Sequence, residues 1–136
     1  MNVGAEARKT LLVVEDDLTL RSAMTDALES AGCTVLAARD GKDVLRLAKE
    51  RAPDVILLDL ALPTRSGLDV LDDLKHSHAT RDIPVIVVSA YAHLLRESHT
   101  QPVAALLQKP FDMADLLAQV ERAVRRRSAM SSASPA

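Results

Sequence analysis

Four strand-length apolar runs, Leu11–Val14, Val55–Leu58, Val85–Val88 and Val103–Leu107, with a weaker one at Thr34–Ala38, alternate along this chain with stretches of helical spacing. The runs at 55 and 85 are apolar throughout, the pattern of strands buried on both faces. Between them, Leu20, Ala23, Met24, Ala27, Leu28 and Ala31 recur at helical intervals, with Gly32 as the stop. Val44, Leu45, Leu47 and Ala48 predict a second helix that ends before Pro53, and Leu68, Val70, Leu71 and Leu74 a third. Leu116, Leu117, Val120, Ala123 and Val124 predict the last, opened by Asp112 as N-cap with Asp115 three residues on. The segment Tyr91–Thr100 offers little beyond Leu94 and Leu95 and predicts only a short helix.

Strands that alternate with helices require right-handed crossovers and a parallel sheet covered on both faces. Five such units in 136 residues make one domain, an α/β doubly wound (βα)5 fold of the flavodoxin-like type. The strand order 2-1-3-4-5 is carried over from that fold; the periodicity does not dictate it. The expected organisation is a flexible N-terminus at 1–9, the domain at 10–127, and a Ser/Ala-rich disordered tail at 128–136. Arg125–Arg127 read as a solvated helix end, where cations are favoured.

Composition narrows the function classes. The net charge is −2, Trp is absent, and Tyr91 and Phe111 are the sole aromatics. Neither electrostatic attraction to nucleic acid nor stacking on bases has residues to work with. No run is long enough for a membrane span, the first ten residues lack a secretory signal, and Cys33 stands alone. A reduced cytoplasmic setting is therefore expected, with Cys33 as a small buried residue. His76, His78, His93 and His99 lack metal-ligand spacing and read as surface residues.

Polar side chains appear where four of the apolar runs end: Glu15 and Asp16 after the first, Asp59 and Ser89 at the ends of the next two, and Lys109 after the last. In an open parallel sheet ligands bind at the carboxyl ends of the strands. One such residue is an ordinary loop residue; four strands ending this way describe a crevice with three carboxylates, a hydroxyl and an ammonium. Three carboxylates without a cation repel one another. A hard divalent ion relieves that conflict, and Mg²⁺ fits best because it uses few carboxylates and engages phosphate oxygens. Such a site is poised to accept a phosphoryl group.

At these residues the sequence resembles the response-regulator receiver family, over roughly Thr10 to Arg126. The resemblance rests on Leu-Val-Val-Glu-Asp-Asp at 12–17, Asp-Leu-Ala-Leu-Pro at 59–63 with Gly67, Val-Ser-Ala at 88–90, and Lys-Pro-Phe at 109–111. It implies that Asp59 accepts the phosphoryl group, that Asp16 binds Mg²⁺ directly and Glu15 largely through water, and that the backbone carbonyl of Ala61 is a further ligand. Ser89, in place of the more common Thr, would hydrogen-bond the phosphoryl oxygens and Lys109 would neutralise them. It also implies a cis Lys109–Pro110 bond, and a sensor histidine kinase or phosphotransfer protein as donor, with a downstream protein target. Ala61 and Tyr91 would flank the path of the hydrolytic water. Asp17, before the first helix, reads as an N-cap rather than a ligand.

The chain departs from the family in one region. Leu106 stands where an aromatic switch residue is usual, Pro102–Val103 replace a Gly-Ala pair, and the segment from Ser89 to Pro102 is about half a helical turn short. Two alternatives stay open beside the phosphorylated switch, which is not an enzyme in its own right. One is a phosphatase of the haloacid-dehalogenase type, which would want a second Asp where Ala61 stands. The other is a pseudo-receiver that binds partners without phosphorylation.

Overall fold

The computed structural model describes residues 8–91 and 103–133. Nine elements follow in order: β1 (Thr10–Val14), α1 (Leu18–Ser30), β2 (Thr34–Ala38), α2 (Val44–Arg51), β3 (Val55–Asp59), α3 (Gly67–His76), β4 (Val85–Ser89), β5 (Ala105–Gln108) and α4 (Met113–Ala133). The short helix expected within 91–100 and the Pro102 departure lie outside the described residues, Tyr91 excepted. The five strands form one parallel sheet in the order β2-β1-β3-β4-β5, the flavodoxin-like arrangement expected.

Strand alternation builds two cores from one sheet. Leu11, Val13, Val55, Leu57, Ile86 and Val88 face α1 and α4, meeting Met24, Leu28, Leu116 and Val120. Leu12, Val14, Ile56, Leu58, Val85 and Val87 face α2 and α3, meeting Val44, Ala48, Val70, Leu71 and Leu74. Each fully buried Leu or Val is worth about 2 kcal/mol of transfer free energy, so consecutive apolar residues serve opposite faces without waste. Ala23, expected on the apolar stripe of α1, is exposed; Met24 and Leu28 carry the burial there.

The helix ends follow local chemistry. Asp17 caps α1, its side chain accepting from the Thr19 N–H at 3.1 Å. Gly32 closes α1 at φ 94°, where the Cys33 N–H reaches the Leu28 carbonyl (3.1 Å) and the Gly32 N–H the Glu29 carbonyl (3.0 Å), a Schellman closure that needs positive φ. Ser66 caps α3 by accepting from Leu68 N–H. The Asp112 carbonyl receives the first bonds of α4, from Asp115 and Leu116. Cys33 is buried, and burial pushes its thiol pKa up.

One boundary and one side chain differ from the sequence reading. Helix α4 runs to Ala133, past the boundary expected at Arg127; Ala129 and Met130 are good helix formers and neither Gly nor Pro stands between Arg127 and Ala133. Arg127 itself is not a solvated helix end. Its guanidinium donates to the carbonyls of Pro53 (3.1 Å) and Asp54 (3.0 Å), tying α4 to the loop before β3. Beside it Asp54 exchanges bonds with β1: its carboxylate accepts from Thr10 N–H at 2.9 Å, and its own N–H reaches the Thr10 carbonyl at 2.7 Å.

Candidate functional site

At the carboxyl end of the sheet, β1 delivers Glu15 and Asp16, β3 delivers Asp59, and β5 runs into Lys109. Lys109 Nζ bridges two of these acids, 2.9 Å from Glu15 Oε1 and 3.1 Å from Asp59 Oδ2. Both carboxylates are almost fully buried, at 2% and 4% exposure, while the lysine is 24% exposed. Carboxylate oxygens of Glu15, Asp16 and Asp59 lie within 4.8 Å of one another. Two oxygens on opposite sides of one magnesium ion are about 4 Å apart, so this trio is spaced to hold such an ion after a small contraction. Among the described residues no other His, Cys, Asp or Glu cluster has metal-binding spacing.

Among the described residues the charges do not balance: three carboxylates face one ammonium. Burial, with Asp59 alongside, raises the Glu15 pKa against the opposing pull of Lys109 and the Asp17 N–H. Burial alone would lower the Lys109 pKa, but Glu15 and Asp59 outweigh it and hold the ammonium above its usual range. The group is thus short of positive charge by two, the deficit a divalent cation fills.

Local bonds fix Asp59, Glu15, Lys109 and Ser89. Asp59 Oδ1 accepts from Ala61 N–H at 3.0 Å, so Ala61 enters the site through its backbone. Glu15 Oε2 accepts from Asp17 N–H at 3.2 Å. Lys109 N–H pairs with the Ser89 carbonyl at 2.9 Å, and the Lys109–Pro110 bond is cis, as the resemblance implied. Ser89 is buried, and its hydroxyl oxygen accepts from Tyr91 N–H at 2.9 Å, engaging its own loop rather than the acids. Leu106 packs against the α2/α3 core where the family usually carries a ring.

Of the histidines, His76 and His78 are exposed, and His76 Nδ1 lies 2.7 Å from the Asp72 carbonyl; His93 and His99 fall outside the described residues.

One contributor, Arg21, escaped the sequence reading, and Gly67, present in the acceptor motif, was there without its physical reason. Arg21, one turn into α1, donates to the Glu15 carbonyl at 2.8 Å and lies 3.4 Å from the Asp16 carbonyl, bracing the acidic pair from behind. Gly67 lies against the acceptor strand: a Cβ there would come 2.4 Å from Leu60 Cα and 2.5 Å from the Asp59 carbonyl oxygen. Its N–H closes the same loop on the Leu60 carbonyl at 2.9 Å. An Arg at helical distance from an acidic pair was the available signal for the first; the second needed coordinates.

Comparison with known proteins agrees with this geometry. Residues 11–121 match the response regulator receiver domain family. The chain is 33% identical over 129 residues to the phosphate regulon transcriptional regulatory protein PhoB of Pseudomonas aeruginosa, covering 93% of this chain and 56% of that one. It is 36% identical over 132 residues to the KDP operon transcriptional regulatory protein KdpE of Escherichia coli K12, covering 92% and 55%. The chain thus spans about half the length of these curated relatives. Among solved structures, the receiver domain of a sensor histidine kinase from Pseudomonas aeruginosa PAO1, which holds a magnesium ion in its active site cleft, superposes with a TM-score of 0.80 at 28% identity, over 88% of this chain and 99% of that one. With its sheet order, its acidic trio and this match over residues 11–121, the chain belongs to the response regulator receiver domain family.

Proposed function

We propose that this chain is a phosphorylation switch: a sensor histidine kinase or phosphotransfer protein donates a phosphoryl group to Asp59, and the product changes affinity for a downstream protein. The observation that carries the reading is the buried Asp59 carboxylate, held on one oxygen by Ala61 N–H and on the other by Lys109. A carboxylate oxygen of Asp59 attacks phosphorus, the bond from phosphorus to the donor's leaving group breaks, and an acyl phosphate forms on Asp59. Lys109, already 3.1 Å from Asp59 Oδ2, is within reach of the incoming oxygens and donates to them. The Ser89 hydroxyl supplies a further donor.

Asp16, Asp59 and the Ala61 carbonyl, with Glu15 acting largely through water, would hold Mg²⁺. Once bound it would neutralise the acidic trio and the phosphoryl oxygens. The domain assists its own phosphorylation and dephosphorylation and catalyses no other reaction. Ala61 has no polar side chain to orient water and Tyr91 is bulky, so the phosphoryl aspartate is long-lived. Tyr91→Ala should shorten its half-life several-fold, as followed by the decay of phosphorylated mass.

In this reading the chain acts in the cytoplasm, without direct contact to membrane or nucleic acid; no helix among the described residues is long and apolar enough to cross a membrane. The experiment that tests the whole reading is incubation with acetyl phosphate, with and without Mg²⁺, followed by intact mass. A Mg²⁺-dependent gain of one phosphoryl group is expected. No gain would favour the second reading, a pseudo-receiver working through protein contacts alone, for which the core-packed Leu106 is the one observation in favour.

A further inference from the structure

Strands β4 and β5 stay paired through Ser89 and Gln108, which sit opposite one another, and the Lys109 N–H adds one more bond to the Ser89 carbonyl. Beyond that point β4 leaves the sheet, and no backbone donor of β5 follows, because residue 110 is proline. The Gln108 side chain takes over. Its amide nitrogen donates to the Ala90 carbonyl at 2.6 Å and lies 3.3 Å from the Lys109 carbonyl. One amide thus ties the residue after Ser89 to the residue that carries the bridging ammonium. Both partners are carbonyls, so the position calls for a donor, which a carboxylate or apolar side chain of the same length does not offer.

We infer that Gln108 is a positioning residue for Ser89: its amide acts as a surrogate strand bond that holds the loop after Ser89 in register with Lys109, so that hydroxyl and ammonium converge on the same phosphoryl oxygens. The inference rests on Asp59 being the phosphoacceptor. It also accounts for how the loop is held in a chain with leucine at 106, since the tie comes from the edge of the sheet rather than from a ring. Gln108 does not touch the reacting atoms; it acts through Ala90 and Ser89. Hydrogen-bonding energies of this kind correspond to an effect of about five-fold.

The test is a double-mutant cycle of Gln108→Met with Ser89→Ala, read by calorimetric binding of beryllofluoride in Mg²⁺. Gln108 is exposed, and methionine matches its length without its donors, so the melting temperature should stay within the wild-type range. Expected is about five-fold weaker binding for Gln108→Met, with little further loss when Ser89→Ala is already present. Hydrogen exchange at the Tyr91 amide, which the Ser89 hydroxyl holds, should quicken in Gln108→Met without any ligand. An equal loss in the Ser89→Ala background, unchanged or tighter binding, or an unchanged Tyr91 amide would overturn the role of Gln108. A wild-type chain that binds no beryllofluoride would overturn the phosphoacceptor reading and the role of Gln108 with it; wild-type binding with an indifferent Gln108→Met overturns the role alone.

Discussion

The two ends of the same parallel sheet handle their polar groups in opposite ways. At the amino end, Asp54 accepts from Thr10 N–H and Arg127 spends its guanidinium on the carbonyls of Pro53 and Asp54. Each of these groups has a partner within the protein. At the carboxyl end, Glu15 and Asp59 are buried deeper, yet among the described residues they share a single lysine, and Asp16 stands beside them. A polar cluster that is complete in itself holds the fold; one that is incomplete is waiting for a ligand. Burial differs between the two in degree, whereas the balance of donors, acceptors and charge differs in kind.

The sharpest contrast comes from the same substitution at each end. Asp59→Asn should abolish the phosphoryl mass gain from acetyl phosphate, whereas Asp54→Asn, whose amide oxygen still accepts from Thr10, should gain mass like wild type. Loss of the modification in Asp54→Asn would erase the distinction between the ends. Next in size is the metal response. Mg²⁺ should raise the melting temperature of the wild-type chain by mass action, and Asp16→Ala should lose most of that rise; an equal rise in the variant would place the metal elsewhere.

At the amino end, Arg127→Ala should cost ~1–2 kcal/mol in urea denaturation, the loss of charge-assisted bonds at a partly exposed site, with the rate of phosphorylation unchanged. A slower reaction would mean that the two ends are coupled. The smallest effect concerns Glu15. Its pKa is raised, foremost by burial, so the folded chain holds that proton more tightly than the unfolded one. Ionising it costs stability, and the cost sets in as pH rises through and above the ordinary carboxylate range. Glu15→Gln should therefore melt slightly higher than wild type at neutral pH without Mg²⁺, and the gain should fade as pH falls below that range. A gain that persists in acid would point to packing rather than charge.

The sequence displayed the carboxyl end more fully than the amino end, for a physical reason. Apolar runs of strand length ended by Glu15, Asp59, Ser89 and Lys109 mark one edge of a parallel sheet, because every strand there points the same way. The pairing of Arg127 with Pro53 and Asp54 spans more than seventy residues and leaves no local periodicity, so Arg127 read as a charged helix end. Asp17 was legible as a cap because capping is local, and Arg21 was not because its partners are backbone carbonyls, which every residue has. Gly67 stood out as part of a motif, but its reason, the close approach of Leu60 and Asp59, exists only in three dimensions.

Tyr91 sits two residues past Ser89, with its N–H on the Ser89 hydroxyl and its side chain 62% exposed. The chain has one tyrosine and no tryptophan. Its ultraviolet emission therefore arises from a single phenol beside the site, with no indole to drain or mask it. If phosphorylation rearranges the loop after Ser89, as proposed, the phenol's surroundings change with it, and rapid-mixing fluorimetry of the unlabelled protein would time that step.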